Sequence, residues 1–235
     1  MNLNHGSSKE SLRLPTKNSS STELAVVNVC SYGSPEREPL ERYISSVFQA
    51  AYGAKILDYL PLLFSLSQPN GHYSAALGLG SAAHGSLFSE QYLNHSVENY
   101  IDDHFACQCG RQNIMELGNL VSSYSGQSAF LYLLVTAAMA QAGVEYLLFC
   151  ANKTVRASIK RSGFTPVVID QAHPERLGGR ASDWGSYYEG EPMVMLGDIK
   201  LSLAQASAQP FMRDVLKIYA DPIATLSNVI VAHNL

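Results

Sequence analysis

The chain has 235 residues, 46% hydrophobic and only 15% charged, and 20 acids against 16 bases leave a formal net charge of −4. That length buries a sizeable core as one large domain or a domain with appendages, and the charge balance offers no basic field to nucleic acid or an anionic membrane, which argues against a nucleic-acid role. The charged fraction lies below the roughly 25% usual for soluble proteins, pointing to much buried surface or to an apolar substrate or partner. Cys30, Cys107, Cys109 and Cys150 do not form a disulfide framework in a chain this long and read as reduced thiols of a cytoplasmic protein.

In chain order, residues 1–22 are Ser/Asn-rich with no apolar h-region, so they read as a disordered segment and not as a secretory signal. "LAVVNVC" (24–30) reads as a strand. "SYGSP" reads as a turn with Ser34 as helix N-cap and Pro35 at the first helical position. Leu40, Tyr43, Ile44, Val47, Phe48 and Ala51 recur at helical spacing, with Gly53 placed to end the helix. "PNG" separates two antiparallel strands, 56–68 and 72–83, and Pro61 argues for an edge or a bulge near the start of the first. "NHSVENYIDDHF" reads as a short helix capped by Asn94 or Ser96.

The most regular stretch follows. "NIMELGNLVS" is a strand, "SAFLYLLVTAAMAQAG" a helix apolar on nearly every side, and "VEYLLFCAN" a strand, a βαβ unit whose strands should be parallel. "KTVRASIKRSGF" is a helix capped by Asn152 or Thr154 and stopped by Gly163, and "TPVVID" and "PMVMLGDIKLSL" (192–203) are strands. Beyond Ala204 the chain shows one amphipathic patch: Phe211, Val215, Ile218 and Tyr219. No window reaches the ~20 apolar residues of a membrane helix.

Chemistry concentrates around "ELGNLVSSYSGQSAF" (116–130). The helix that starts near Ser128 presents free N–H groups and a positive dipole end, Gly126 permits close backbone approach, and Ser123, Ser125, Gln127 and Ser128 add donors, together a cradle for a pyrophosphate. Glu116 sits among Ile114, Leu117 and Leu120. It reads either as a strand-edge carboxylate facing water or paired with Arg111, or as a general base whose desolvation raises its pKa. Gly118 marks a bulge or a close backbone approach, and a bulge there would point Glu116 and Asn119 into one cleft. Tyr187 and Tyr188, beside Trp184, read as an aromatic plug or as a substrate pocket in which a tyrosine hydroxyl protonates a leaving thiolate. His104, Cys107 and Cys109 lack a second Cys/His pair to complete a zinc site. Cys150, at the end of an apolar strand, reads as a small hydrophobe and not as a nucleophile.

Four stretches in order, "LFSEQYLNHSVENYI", "IMELGNLVSSYSG", "LLFCANKTVRASIKRSGF" and "DWGSYY", resemble the bacterial thermostable hemolysin family over roughly residues 37–203. That family in turn looks like a divergent branch of the GCN5-related N-acetyltransferase fold, near the acyl-homoserine-lactone synthases. The resemblance implies an α/β (α+β) fold with a mixed, mostly antiparallel twisted sheet, a splayed parallel strand pair (113–121 and 146–151) and flanking helices. It implies an acyltransferase domain at 23–203 with a C-terminal extension at 204–235.

It further implies that backbone at Leu120, Val121 and Ser122 pairs with a pantetheine arm and that the 123–128 turn holds the pyrophosphate. Asn152 contacts the cofactor arm, Glu116 acts as base with Asn119 beside it, and Glu90 and Trp184 contact substrate. The donor would be acyl-CoA or acyl-carrier protein, the acceptor a small-molecule amine, and no metal is called for. The transferase fingerprint is Gln or Arg, two residues, Gly, one residue, then Gly or Ala. Ser123, Gly126 and Ser128 fill those places, so only the glycine matches, and the arginine that the hemolysin family tends to carry near Ala129 is absent. Weakened anion contacts favour a carrier protein as donor. Two other expectations stand beside acyl transfer: a membrane-active haemolytic protein, from the family's name, and a non-catalytic binder of acyl thioesters.

Overall fold

A computed structural model describes residues 26–124 and 126–234. The expectations for residues 1–22 and Ser125 lie outside the described residues. Seven strands form one sheet in the order β1-β2-β3-β4-β5-β7-β6. They are β1 (Val26–Cys30), β2 (Leu62–Ser67), β3 (Tyr73–Ser81), β4 (Ile114–Ser122), β5 (Tyr146–Ala151), β6 (Val167–Gln171) and β7 (Met193–Asp198). Every neighbouring pair is antiparallel except β4–β5, which is parallel across the crossover helix α3 (Gln127–Gln141). The mixed, mostly antiparallel α/β sheet with one parallel pair is therefore present as the sequence implied.

The remaining helices are α1 (Arg37–Tyr52), α2 (Val97–Phe105), α4 (Lys153–Arg161), α5 (Ile199–Ala208), α6 (Pro210–Ile218) and α7 (Ala220–Asn234). Helix α3 is buried over most of its length because it lies between the sheet and the C-terminal helices. Val215, Tyr219, Ile223, Leu226 and Ile230 join its core cluster, together with Leu62, Phe64, Leu77, Leu117 and Phe149 from the strands. On the opposite face, α1 packs Leu40, Ile44 and Phe48 over β2 and β3. There α2 and the turns at Phe88–Tyr92 and Pro174–Trp184 cover β5 and β7.

Several local expectations need correction. Helix α1 begins at Arg37, because Ser34 Oγ accepts from the Ser31 N–H (3.2 Å) and closes a turn that holds Pro35 ahead of the helix. Gly53 does end it, with φ 67°. Strand β2 starts only after Pro61 and lies inside the sheet, between β1 and β3. Its register shift falls at Leu66/Ser67, the far end, so proline here marks a strand start and neither an edge nor a nearby bulge. Ser96 is the N-cap position of α2, but the Val97 N–H is satisfied by Glu90 Oε1 (3.2 Å). The strand expected at 192–203 stops at Asp198, whose carboxylate accepts from the Leu201 N–H (2.7 Å) and caps α5. The residue-203/204 boundary thus falls inside a helix. The amphipathic patch divides, with Val215 and Tyr219 buried while Phe211 and Ile218 face out.

Among the described residues no single helix is long and apolar enough to cross a membrane. Helices α6 and α7 pass that test only as a pair bent by 72°.

Two devices shape the sheet where it matters most. Between the β3–β4 pairs Ala76↔Val121 and Gly78↔Gly118, β4 carries an extra residue, and Asn119 takes a left-handed φ of 51°. Its side chain reaches across to the segment before β2: Asn119 Oδ1 accepts from the Leu60 N–H (2.9 Å) and Nδ2 donates to Asp58 O (3.3 Å). Arg37 holds the same segment from α1, donating to Pro61 O (2.6 Å) and Leu60 O (2.9 Å).

Two stability measurements follow from this arrangement. Asn119→Ala removes both bonds and leaves an alanine in the left-handed region, so it should cost about 2–3 kcal/mol in urea unfolding, with Asn119→Gly costing less. A chain ending at Ala208 strips five buried side chains from α3, a loss of about 10 kcal/mol at about 2 kcal/mol each, comparable with a whole domain's stability. It should show no cooperative thermal transition.

Candidate active site

The β4–β5 ladder runs from Ile114↔Tyr146 to Leu117↔Phe149 and stops there, although β4 continues to Ser122 and β5 to Ala151. The divergence expected beside Gly118 is present at that residue. The bulge at Asn119 turns β4 away, so its β5-facing backbone beyond Leu117 has no ladder partner among the described residues.

Two cavities meet at this split. The first, of about 190 Å³, lies on the α1 side of the sheet and is lined by Glu116, Asn119, Ser89, Phe88, Trp184 and Tyr187 among others. The second, about 380 Å³, runs between the start of α3 and helix α4. Leu117, Leu120, Cys150 and Val155 line both, so the split is where the two spaces communicate.

Glu116 is 3% exposed. Its Oε2 accepts from the Phe88 N–H (2.7 Å), and its Oε1 accepts from the Ser89 N–H (2.7 Å) and the Ser89 hydroxyl (2.5 Å). Burial pushes its pKa above the ordinary carboxylate range, and these three donors restrain but do not cancel that rise. The bland alternative, a pair with Arg111, does not occur: Arg111 bonds Glu90 (2.9 Å) and Glu98 (3.0 Å). Ser89 also receives a weak bond from the Cys150 thiol (3.5 Å), and burial raises that thiol to about 12. A thiol so reluctant to ionise is a poor nucleophile.

The other expected residues divide. Asn119 faces the first cavity beside Glu116, although both polar ends of its amide hold the 58–60 backbone. Trp184 and Tyr187 line that cavity, and their rings meet at 5.2 Å. Burial raises the Tyr187 phenol well above its usual pKa, and its hydroxyl bonds no protein group among the described residues. Tyr188 stands one layer back, its hydroxyl 2.7 Å from that of Tyr92.

Leu120, Val121, Ser122, Ser123, Gly126 and Ser128 line the second cavity, as do Ser158, Ser162 and Arg161 from the end of α4. Ser123 bonds the Tyr43 hydroxyl (2.8 Å). Gly126 caps α3 with φ 86° and open space where a Cβ would stand. Gln127, the first residue of α3, has a buried Oε1 with no partner among the described residues and does not line the cavity.

Asn152, 4% exposed, caps α4 through the Val155 N–H (3.0 Å) and donates to the Tyr52 hydroxyl (2.8 Å) at the edge of the first cavity. Glu90 does not reach either cavity. It joins Arg111 to the amides of Leu87 (2.8 Å) and Val97; burial alone would raise its pKa, but these bonds hold it below the usual value. Glu90 thereby fixes the turn that carries Phe88 and Ser89.

Sequence reading missed Ser89, Arg37 and Leu60. Each acts on a partner more than twenty residues away, so spacing carried no signal for them. His104, Cys107 and Cys109 turn to separate partners: Tyr100 O, the Tyr146 hydroxyl and Glu145. Among the described residues no three metal-ligating side chains gather.

Comparison with solved structures places the fold. The N-acyl amino acid synthase FeeM from uncultured soil microbes aligns with a TM-score of 0.53 at 13% identity, over 77% of this chain and 95% of its own. TofI in an apo form aligns at 0.51 and 15%, over 79% and 98%. The CoA-dependent acyl-homoserine lactone synthase BjaI, solved with SAM and isopentyl-CoA, aligns at 0.50 and 12%, over 85% and 89%. At such identities the likeness establishes the fold, that of acyl-CoA N-acyltransferases. No curated protein sequence matches the chain. The profile of the family described as thermostable hemolysin matches residues 30–203, and this chain is a member of that family.

Proposed function

We propose that the protein is an acyltransferase that moves an acyl group from a phosphopantetheine thioester to the amine of a small molecule. The observation that carries this reading is the buried Glu116 carboxylate placed where two cavities join through the split between β4 and β5. The thioester arm enters along the second cavity and pairs with the free backbone of Leu120–Ser122. Ser123, Gly126, Ser128 and Arg161 face its phosphate end. The acyl carbonyl lies at the split, where strand N–H groups stabilise the developing oxyanion.

The amine enters the first cavity from its Trp184 end, leaving the end at Leu60 to the acyl chain, and attacks the carbonyl carbon. A C–N bond forms, the C–S bond breaks, Glu116 takes the amine proton directly or through Ser89, and the Tyr187 hydroxyl protonates the leaving thiolate. Asn119 and Glu90 act as positioning residues, one holding the loop before β2 and the other the turn that binds Glu116. Asn152 sets the start of α4 beside the arm, and Trp184 walls the amine's pocket.

The donor reading favours a carrier protein, and with it a cytoplasmic site of action. Only Gly126 matches the pyrophosphate fingerprint. Helix α4 carries Lys153, Arg156, Lys160 and Arg161 with no acid, a face suited to an acidic protein. The lytic reading rests on the family description alone, and dye release from liposomes is the measurement that would favour it.

Purified protein given matched acyl-CoA and acyl-carrier donors with a panel of amines should form amides. Glu116→Gln should lower kcat/KM by about 10²–10⁴-fold, and Tyr187→Phe should act mainly on kcat. If neither donor yields amide, and if Glu116→Gln changes nothing, the reading falls.

The raised pKa of Glu116 gives two signs to check. Activity needs the carboxylate ionised, so the acid limb of the kcat/KM profile should lie above the ordinary carboxylate range and vanish in Glu116→Gln. Because the folded-state pKa exceeds the unfolded one, Glu116 favours folding while protonated. That contribution disappears as pH rises through the folded value. The Tm of the wild type should therefore fall relative to that of Glu116→Gln as pH increases through the same range.

A further inference from the structure

Three glycines lie together on neighbouring strands: Gly78 and Gly80 on β3, and Gly118 on β4, with Gly78 paired to Gly118 and Gly80 to Glu116. None has a positive φ, so backbone conformation does not call for glycine at any of them. Space does. A Cβ built at Gly78 would stand 2.9 Å from Leu60 Cβ, one at Gly80 3.2 Å from Leu60 Cδ2, and one at Gly118 3.0 Å from Leu60 Cδ1.

The three positions thus form a trough in the sheet, and the Leu60 side chain lies in it. Glycine inside a strand weakens it and marks a place where something approaches the backbone closely. Leu60 is the neighbour common to all three: at Gly80 and Gly118 its side chain is the nearest group, while at Gly78 a Cβ would also stand 2.8 Å from Asn119 Oδ1. Leu60 is also fixed through its own backbone, by Asn119 at its N–H and by Arg37 at its carbonyl. It lines the first cavity, as Gly118 does.

We propose that Leu60 limits the length of the acyl chain: it closes the end of the acyl compartment, and the glycine trough beneath it is the space a longer chain would fill. This inference rests on the acyl-transfer reading. At about 190 Å³, the cavity is slightly larger than the ~150 Å³ cavity that holds benzene. By that comparison it takes roughly eight non-hydrogen atoms in all, shared by the acyl chain and the attacking end of the amine, which makes the natural donor a short-chain to medium-chain thioester. Because the bonds from Asn119 and Arg37 end on backbone atoms of residue 60, truncating the side chain leaves the loop in place.

The test compares hexanoyl, octanoyl, decanoyl and dodecanoyl donors on one head group. The wild type should prefer the shorter two. Leu60→Ala should raise the decanoyl-to-hexanoyl ratio of kcat/KM at least about tenfold, the low end of what one or two methylenes are worth in an apolar pocket. Gly118→Ala in the Leu60→Ala background refills the trough and should return the ratio toward the wild-type value, which a merely loosened site would not do. If wild type and Leu60→Ala form amide with the same chain-length ratio, or the double variant keeps the long-chain gain, the gauge is wrong while acyl transfer stands. Absence of amide from every donor, with both proteins folded, removes both.

Discussion

The parting of β4 from β5 after Leu117↔Phe149 is the constraint on which the rest of the molecule depends. Two parallel strands in a sheet ordinarily stay paired, because each backbone group left unpaired in a dry interior costs about as much as a lost hydrogen bond. Here the cost is met locally. One extra residue at Asn119 bends β4, and a short polar side chain that tolerates the left-handed region turns that bend into two bonds to the 58–60 backbone. The split therefore has a built cause in the strand itself and gives a groove edged with N–H and C=O groups that have no ladder partner among the described residues.

The split would be only a gap without the carboxylate beside it. Glu116 precedes the break by two residues, on the face opposite Met115 and Leu117, and its burial would be prohibitive if its oxygens were unpartnered. Phe88 and Ser89 supply the partners from a turn that is itself held by the Glu90–Arg111 pair. The protein thus holds one acid out of water with enough donors to keep it usable as a base, but not so many that it becomes inert. Glu90, one turn away, shows the contrast: the same residue type, given an arginine and two amides, is locked as a structural anion.

The C-terminal helices and the segment before β2 serve this centre from opposite sides. Helices α5–α7 bury α3, so the start of α3 faces the second cavity as a fixed platform. Residues 58–60, tied to α1 and β4, wall the first. Family membership and fold agree with this division, because the profile match ends at residue 203, midway along α5, while β2–β7, Glu116 and both cavity walls lie within it.

Local chemistry was legible wherever one residue's surroundings are its sequence neighbours. The all-round apolar pattern of α3, the stops at Gly53 and Gly163, the cap at Asn152 and the parallel β4–β5 pair could all be read from spacing. The spacing singled out Glu116 and Gly118 but left that carboxylate open between water and the interior, which burial in the fold decided. The misplaced start of α1, the overrun of β7 into α5 and the misreading of Pro61 have one cause: element ends are set by whichever partner satisfies the terminal N–H and C=O groups. At α1 and α5 those partners are local, Ser34 for Ser31 and Asp198 for Leu201, whereas the 58–61 loop finds Arg37 and Asn119 through tertiary contacts.

The amino-acid order by itself therefore determined most of the elements up to β7 and the sense of the β2–β3 and β4–β5 pairs. Only the folded chain decided that Ser89 would hold Glu116, that Asn119 would fasten a loop sixty positions away, and that three separated glycines would share one leucine. Those outcomes depend on distances between residues far apart in the chain, which periodicity along it does not encode.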